Sequence, residues 1–290
     1  MTAPKSLRVV GVVPHPERAT ALELTRHAAH WLRDQGVEVR VLIEEGDPGE
    51  LRPFGVAADE FSKGLDVAIS LGGDGTMLRT VDLVYECGAA VLGVNVGQLG
   101  YLTEVEPAGL DGALAALLAG EYEIDERMML DVVVGSSGPA AGRWWALNEA
   151  VMEKGLDSRV VRLSVEINGT FFTSYAADGV IVATPTGSTA YSFSARGPIV
   201  SPRHWCLLLT PVSPHMLFDR SLVLDAEEEL RFTVTEERGV LLTLDGRQLG
   251  LLEEGDTVAC TAGPKPARMV TFGARDFHQI LKTKFGLADR

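Results

Sequence analysis

The chain contains no G-x-x-x-x-G-K-[ST] phosphate loop, and no G-x-G-x-x-G follows its first apolar strand, which runs from Leu7 to Val13 into Pro14-His15-Pro16. Those absences exclude the P-loop and the ordinary dinucleotide fingerprint. Cysteine is scarce: Cys87, Cys206 and Cys260 are far apart, odd in number and without a C-x-x-C pair. That spacing provides neither a disulfide framework nor a thiolate metal site, fits a reducing compartment, and makes the three packing residues. Long hydrophobic runs are missing as well. Ala113 to Ala119 is among the longest and is too short to span a bilayer, and the first residues carry no apolar core with a cleavage site. A soluble cytoplasmic protein without membrane contact is expected. Basic residues are outnumbered, 26 Lys and Arg against 40 Asp and Glu, for a formal net charge of −14. Nucleic acid and anionic membranes reward clustered cations, so neither is an expected partner.

What is present suffices for two hydrophobic cores: 290 residues, 46% of them hydrophobic, long enough for roughly two domains. Residues 1–121 alternate strand and helix: strand 7–13, helix from Pro16 to Gln35, strand 37–43, a Gly/Pro-rich loop to residue 55, a short helix near 57–63, strand 65–71, helix Met77 to Glu86 and strand 90–94. Such alternation predicts an α/β domain, a parallel sheet with helices on both faces and ligands at the carboxyl ends of its strands. Residues 122–264 change to short strands with turn signals, among them 128–134, 143–153, 159–167, an Asn168-Gly169 hairpin and 179–183. This predicts an all-β, sandwich-like domain. The tail, 265–290, reads as a strand from Arg268 to Phe272 and a helix from Phe277 to Phe285 that returns to the first domain.

The densest signal lies at the end of the apolar strand 65–71, where Gly72-Gly73-Asp74-Gly75-Thr76 leads into a helix. Glycines 72, 73 and 75 are expected to supply positive φ and close backbone approach, so that the N–H groups of the helix start face an anion. Asp74 is anomalous there. A carboxylate in an anion cradle repels phosphate unless a cation or a hydroxyl proton takes part, which points to catalysis. A plain Asp-Gly turn is the alternative. A second cluster, Asp178-Gly179 through Thr184-Pro185-Thr186-Gly187-Ser188-Thr189-Ala190-Tyr191-Ser192, runs a buried strand into a hydroxyl-rich loop with a ring able to stack on a base. Asn148-Glu149, at the end of Trp144-Trp145-Ala146-Leu147, carries an amide and a carboxylate suited to a nucleoside; an exposed strand end is the alternative.

These segments, with Asn95-Val96-Gly97-Gln98-Leu99-Gly100-Tyr101-Leu102-Thr103-Glu104 between them and Pro214-His215 and Asp245-Gly246 after them, resemble the NAD kinases over nearly the whole chain. The first motif also occurs in lipid kinases and phosphofructokinases; the 184–191 loop is far more specific. The resemblance implies a kinase that passes a phosphoryl group from ATP or inorganic polyphosphate to the 2′-hydroxyl of the adenosine ribose of NAD, forming NADP. It implies Asp74 as general base, with Gly75 and the adjoining backbone of Gly72, Gly73 and Thr76 holding phosphate. Asn148 and Glu149 would grip the adenosine ribose, Asp178 would meet the nicotinamide end, and Thr189, Ala190, Tyr191, Ser192 and Ser194 would line the NAD groove. Arg79 and Arg159 match positions that approach substrate. Mg²⁺ is expected with the nucleotide phosphates, because no cluster of protein ligands is visible and His27 and His30 read as solvent-facing helix residues. A homodimer or homotetramer is implied.

Two departures stand out. Ser194-Ala195-Arg196-Gly197-Pro198 carries Arg196 where the pattern has glycine, and Arg247 follows Asp245-Gly246 where relatives often show glutamine. Both bear on the nicotinamide end and on phosphate discrimination. Ala176 is small enough to leave room for a reduced ring, hence NADH as well as NAD. Two other classes stay open: a non-catalytic dinucleotide-binding sensor, which Arg196 suggests, and a lipid or sugar kinase sharing the diphosphate loop.

Overall fold

The computed structural model describes residues 7–43, 49–97, 100–155, 160–236, 239–273 and 277–287. The chain divides into two compact units, residues 1–126 with 267–290, and residues 127–266.

The first unit is built from β1 (Val9–Pro14), α1 (Ala19–Asp34), β2 (Glu38–Leu42), β3 (Gly55–Val56), α2 (Ala58–Phe61), β4 (Val67–Gly72), α3 (Asp74–Val84), β5 (Ala90–Asn95), α4 (Leu110–Ala119) and β6 (Glu123–Arg127), and the chain re-enters it with β19 (Ala267–Thr271) and α6 (Phe277–Phe285). One seven-stranded sheet runs β3-β2-β1-β4-β5-β19-β6. Its pairings from β3 through β19 are parallel. Every residue of β4 and β5 is buried, the signature of parallel strands covered on both faces. Helix α1 buries Ala21, Thr25, Ala28, Ala29 and Leu32, one stripe at helical spacing. It ends at Gly36, φ 81°, where the Gly36 and Val37 N–H groups bond back to Arg33 and Leu32 carbonyls at 2.9 and 3.1 Å, a left-handed cap that a side chain would strain. Because β1 has β2 on one side and β4 on the other, the winding reverses between β1 and β4. Ligands of open α/β sheets bind outside the carboxyl ends of such a strand pair.

The second unit holds β7 (Leu130–Gly135), β8 (Gly142–Ala146), β9 (Glu149–Lys154), β10 (Val161–Ile167), β11 (Thr170–Ala177), β12 (Gly179–Ala183), α5 (Tyr191–Ser194), β13 (Cys206–Val212), β14 (Leu222–Asp225), β15 (Leu230–Val234), β16 (Val240–Leu244), β17 (Arg247–Leu252) and β18 (Thr257–Ala262). They form two six-stranded sheets, β11-β10-β15-β18-β7-β8 and β14-β13-β12-β9-β16-β17. The core gathers inward residues of both, such as Val132, Leu163 and Phe232 from one and Met152, Val182, Leu209 and Leu242 from the other, which makes the unit a β-sandwich. The opposite face of the second sheet buries Val151, Ile181, Ala183, Cys206 and Leu208 beneath Ala195, Val200 and Val212.

Several sequence expectations need correction. The stretch 143–153 is two strands in different sheets, β8 and β9, because the chain turns at Leu147-Asn148. Helix α3 begins at Asp74, three residues before the expected Met77, which places the carboxylate in its first turn. Helix α4 was not among the expected elements; its Ala113–Ala119 half is so uniformly apolar that no polar face marks it as amphipathic. Cys206 and Cys260 are buried, but Cys87 is exposed, just past the end of α3, and so is no core residue.

Arg196 adopts φ 68° in the turn after α5. A side chain there suffers the Cβ–carbonyl contact that glycine lacks, so the missing glycine of the Ser194–Pro198 segment was conformationally useful. Arg196→Gly is expected to stabilise the second unit by about 0.5–1 kcal/mol, seen as a higher denaturant midpoint at unchanged slope.

Candidate active site

At the carboxyl end of β4 the backbone passes from strand to helix without leaving the ordinary regions. Gly73 sits at φ −104°, ψ −165°, and none of Gly72, Gly73 and Gly75 has positive φ. The expectation of left-handed glycines is therefore wrong. A strand that enters a helix directly needs no left-handed residue, and these glycines matter for space. A Cβ on Gly72 would run into the Thr76 side chain, whereas Gly73 and Gly75 face open space. The first i→i−4 bond of α3 is Met77 N–H to Gly73 O, 3.1 Å. The N–H groups before it have no carbonyl one turn earlier to bond, and with the helix dipole they favour an anion.

Beside this helix start lies a cavity of about 450 Å³ lined by His15, Arg18, Gly73, Asp74, Gly75 and Arg79, with Pro16 and Thr76. It is placed outside the paired ends of β1 and β4, where Pro14 faces Leu71. His15 follows β1, its N–H bonded to Leu71 O at 2.9 Å. The guanidinium of Arg18 donates to Val96 O. Neither His15 nor Arg18 was a site candidate from sequence; the signal available was their place directly after the first strand of an α/β unit.

Asp74 is held from above. Its Oδ2 accepts the Tyr101 N–H and its Oδ1 the Leu102 N–H, each at 3.0 Å. Gly100 makes this possible, since a Cβ there would strike Asp74 Oδ1. The segment is pinned at both ends: Val96 N–H bonds Gly72 O at 2.8 Å, Glu104 N–H bonds Gly93 O at 2.8 Å, and Glu104 Oε1 accepts from Thr271 Oγ1 and Phe272 N–H, both at 3.0 Å. The Lys284 ammonium lies 4.8 Å above the Tyr101 ring. Burial, and secondarily the Asp74 charge, raise the Tyr101 hydroxyl pKa.

In the second unit, Asn148 and Glu149 sit at the crossing from β8 to β9. Asp245 and Gly246, with φ 47° and 82°, form the tight turn between β16 and β17, the conformation that Asp-Gly favours. The Asp245 carboxylate accepts N–H groups of Leu147 at 2.7 Å, Asn148 at 2.8 Å and Glu149 at 3.0 Å. Thr184 completes the clamp: its hydroxyl donates to Leu147 O at 2.5 Å and its N–H to Asn148 O at 2.8 Å. Glu149 is only 6% exposed and its Oε2 has no partner. Burial first, then the Asp245 charge, push its pKa up to about 8, opposed by a backbone hydrogen bond from Tyr191. The Tyr191 hydroxyl pKa is itself raised, by burial and then by Glu153 and Asp178.

The remaining expected residues fall into two kinds. Thr189, Ala190 and Tyr191 belong to the loop and short helix that follow Gly187, whose own Cβ would collide with the Asn148 carbonyl; Asp178 is paired with Lys154 at 2.8 Å. Others are engaged with protein neighbours or lie at the surface. The Ser192 hydroxyl is buried against Thr210 Oγ1 at 3.1 Å, Ser194 closes α5 on the exposed side, and the Arg247 guanidinium lies 5.2 Å over the Trp144 ring. Arg159 lies outside the described residues. His27 contacts Asp111 and His30 meets Phe54 edge-on. Among the described residues no group of three or more His, Cys, Asp or Glu could hold a metal, and no helix is long and apolar enough to cross a membrane.

Residues 10–122 match the model of the ATP-NAD kinase N-terminal domain and residues 147–272 that of the ATP-NAD kinase C-terminal domain. The chain is 40% identical over 276 residues to an NAD kinase of Heliobacterium modesticaldum, covering 95% of this chain and 97% of that one. It is 37% identical to an NAD kinase of Rhodococcus opacus, covering 97% and 93%. Among solved structures, a yeast NADH kinase complexed with NADH superposes with a TM-score of 0.88 over 99% of this chain and 89% of that one, at 24% identity. An NAD kinase from Archaeoglobus fulgidus in complex with ATP gives 0.70 over 97% and 98%, also at 24% identity. At that identity the structures attest the shared fold, while the sequence relatives and the two domain models settle descent: the chain belongs to the ATP-NAD kinase family.

Proposed function

We propose that the protein transfers a phosphoryl group from ATP, or from inorganic polyphosphate, to the 2′-hydroxyl of the adenosine ribose of NAD, forming NADP. The observation that carries this reading is a carboxylate fixed at a helix start inside a cationic cavity: Asp74 beside Arg18, Arg79 and the α3 N-terminus. The N–H groups and guanidinium groups supply what phosphate needs, and Asp74 supplies what an attacking hydroxyl needs.

Each Asp74 oxygen gives one lone pair to a backbone N–H and keeps another for substrate. As the ribose O2′ bonds the γ-phosphorus and the bond to the leaving diphosphate oxygen breaks, the hydroxyl proton passes to Asp74. Phosphoryl transfer runs through a loose transition state, so most of the acceleration comes from aligning the hydroxyl and spreading phosphate charge. Arg18 and Arg79 serve the donor phosphates, with Gly73 and Gly75 admitting them to the backbone. A divalent cation such as Mg²⁺, arriving with those phosphates, would neutralise part of their charge; among the described residues no group of three or more His, Cys, Asp or Glu would hold it. Asn148 and Glu149 hold the adenosine ribose, Tyr191 and the 187–190 loop line the NAD groove, and Asp178 faces the nicotinamide end. We assign the protein to the cytoplasm as a homo-oligomer; the three unbridged cysteines and an exposed aromatic pair, Phe172 and Phe218 at 6.0 Å beside the exposed Leu217, support those assignments.

The deciding assay is NADP formation from NAD with ATP and with polyphosphate as alternate donors. NAD binding without turnover on either donor would make the protein a sensor, and labelling of a lipid or sugar instead of NAD would make it a different kinase. Asp74→Asn is expected to keep the NAD dissociation constant within about threefold while lowering kcat by roughly 10²–10⁴; turnover near wild type would remove Asp74 from the base role. Gly100→Ala should push the Asp74 carboxylate off its two N–H donors. Its kcat is expected to fall about 10- to 100-fold with little change in KM for NAD, and an unchanged kcat would show that the strap above Asp74 is incidental.

A further inference from the structure

We propose that Asp245 is a positioning residue for the dinucleotide: it fixes the Leu147-Asn148-Glu149 turn in the one shape that presents the Asn148 amide and the Glu149 carboxyl to a ribose. The proposal rests on the assignment of Asn148 and Glu149 to NAD binding and adds to it the residue that makes them a rigid pair.

Three features of the geometry lead here. The turn joins strands of two different sheets, and its three successive N–H groups, the last at the first residue of β9, converge on a single carboxylate 96 to 98 residues away in sequence. The bond is reciprocal, since Asp245 N–H donates to Glu149 O at 3.1 Å. Thr184 takes the same turn by the carbonyls of Leu147 and Asn148, and Gly187 packs so close to Asn148 that no Cβ fits. Asn148 and Glu149 are thus determined from both sides while the Glu149 Oε2 is left buried without a partner, as an acceptor or donor awaiting a ligand hydroxyl would be.

The carboxylate of Asp245 also acts on Glu149 through space. Of the groups around Glu149, Asp245 raises its pKa and the Tyr191 backbone N–H lowers it. Tyr191 stands in the field of Glu153 and Asp178, the latter paired with Lys154. The β12 end facing Glu149 contributes Ala183, which carries no charge. Between its ordinary value of 4.5 and about 8, Glu149 keeps in the folded chain a proton that the unfolded chain has released. Its contribution to stability is therefore complete at low pH and is lost as pH rises through that window.

Asp245→Asn tests the proposal. Asparagine tolerates the positive φ of this position and keeps one acceptor oxygen, but it removes the charge and puts an NH₂ against backbone donors. The expected result has two parts. KM for NAD rises roughly tenfold with kcat changed less than about threefold, because charge-assisted hydrogen bonds to the turn are lost. In the protein without NAD, the fall of unfolding free energy with rising pH becomes shallower and its upper midpoint moves to lower pH, and adding Glu149→Gln to both the parent chain and the D245N variant abolishes the difference between their pH profiles. Unchanged KM together with an unchanged stability profile overturns the proposal, as does a loss of kcat at constant KM. The stability profile needs no turnover, so it reports on the Asp245–Glu149 coupling even if no NADP forms, a result that would instead remove the kinase reading. Should the D245N variant not fold, Asp245→Ser with the same two measurements replaces it.

Discussion

A carboxylate that gathers backbone N–H groups from loops and strand ends is the interaction on which both candidate site clusters depend. Asp74 takes two such groups, Asp245 three, and Glu104 one together with a hydroxyl. Asp66 does the same where β1 begins, accepting the Arg8 and Val9 N–H groups at 2.9 and 3.1 Å. Irregular backbone exposes donors that strands and helices would have paired, and an unpaired buried donor is costly. An ionised acceptor forms roughly twice as strong a bond as a neutral one and can serve several donors at once. Segments shaped for a ligand, which cannot be shaped for a ladder, can in this way be held as firmly as regular structure.

The same constraint explains where glycine is needed. Gly100 and Gly187 lie where backbone must come within reach of Asp74 or of the Asn148 carbonyl, and Gly72 where the Thr76 side chain fills the space a Cβ would take. None of the three has positive φ. Their role is proximity, and it differs from that of Gly36 or Gly246, where the left-handed conformation is the reason for the residue.

Much of this was legible in the sequence, and the omissions have physical causes. The α/β alternation, the antiparallel sandwich and the Asn168-Gly169 hairpin follow from local pattern, because period and turn chemistry are local properties. The Gly72–Thr76 and 184–191 motifs were visible for the same reason. The break between β8 and β9 was only half visible: Asn148-Glu149 read as a strand end, yet 143–153 still passed as one strand, because Asp245 and Thr184, which hold the turn, lie far along the chain. The partners of Asp74 lie 27 and 28 residues onward, and that separation has no periodic signal. His15 and Arg18 were passed over because a histidine and an arginine after a strand are ordinary surface residues until the neighbouring β4 end is placed beside them. Arg247 shows the reverse: a cation adjacent to a motif that the fold engages with the Trp144 ring.

The net charge of −14 looks hostile to a polyanionic substrate, and the cavity shows how it need not be. Mobile ions screen exposed charges beyond about 8 Å at physiological ionic strength, so the many carboxylates scattered over the surface contribute weakly at any one point. What a phosphate would meet is the local arrangement: Arg18, Arg79 and a helix N-terminus within a single cavity of about 450 Å³. Among the described residues Asp74 is the one carboxylate in that lining, and both of its oxygens already face N–H donors. Those donors draw its charge toward the Tyr101–Leu102 backbone and hold the carboxylate in place. An acidic chain can therefore offer an anion a cavity, and even a negative group inside it, so long as fixed dipoles and two arginines line that cavity while the rest of the charge acts through salt water.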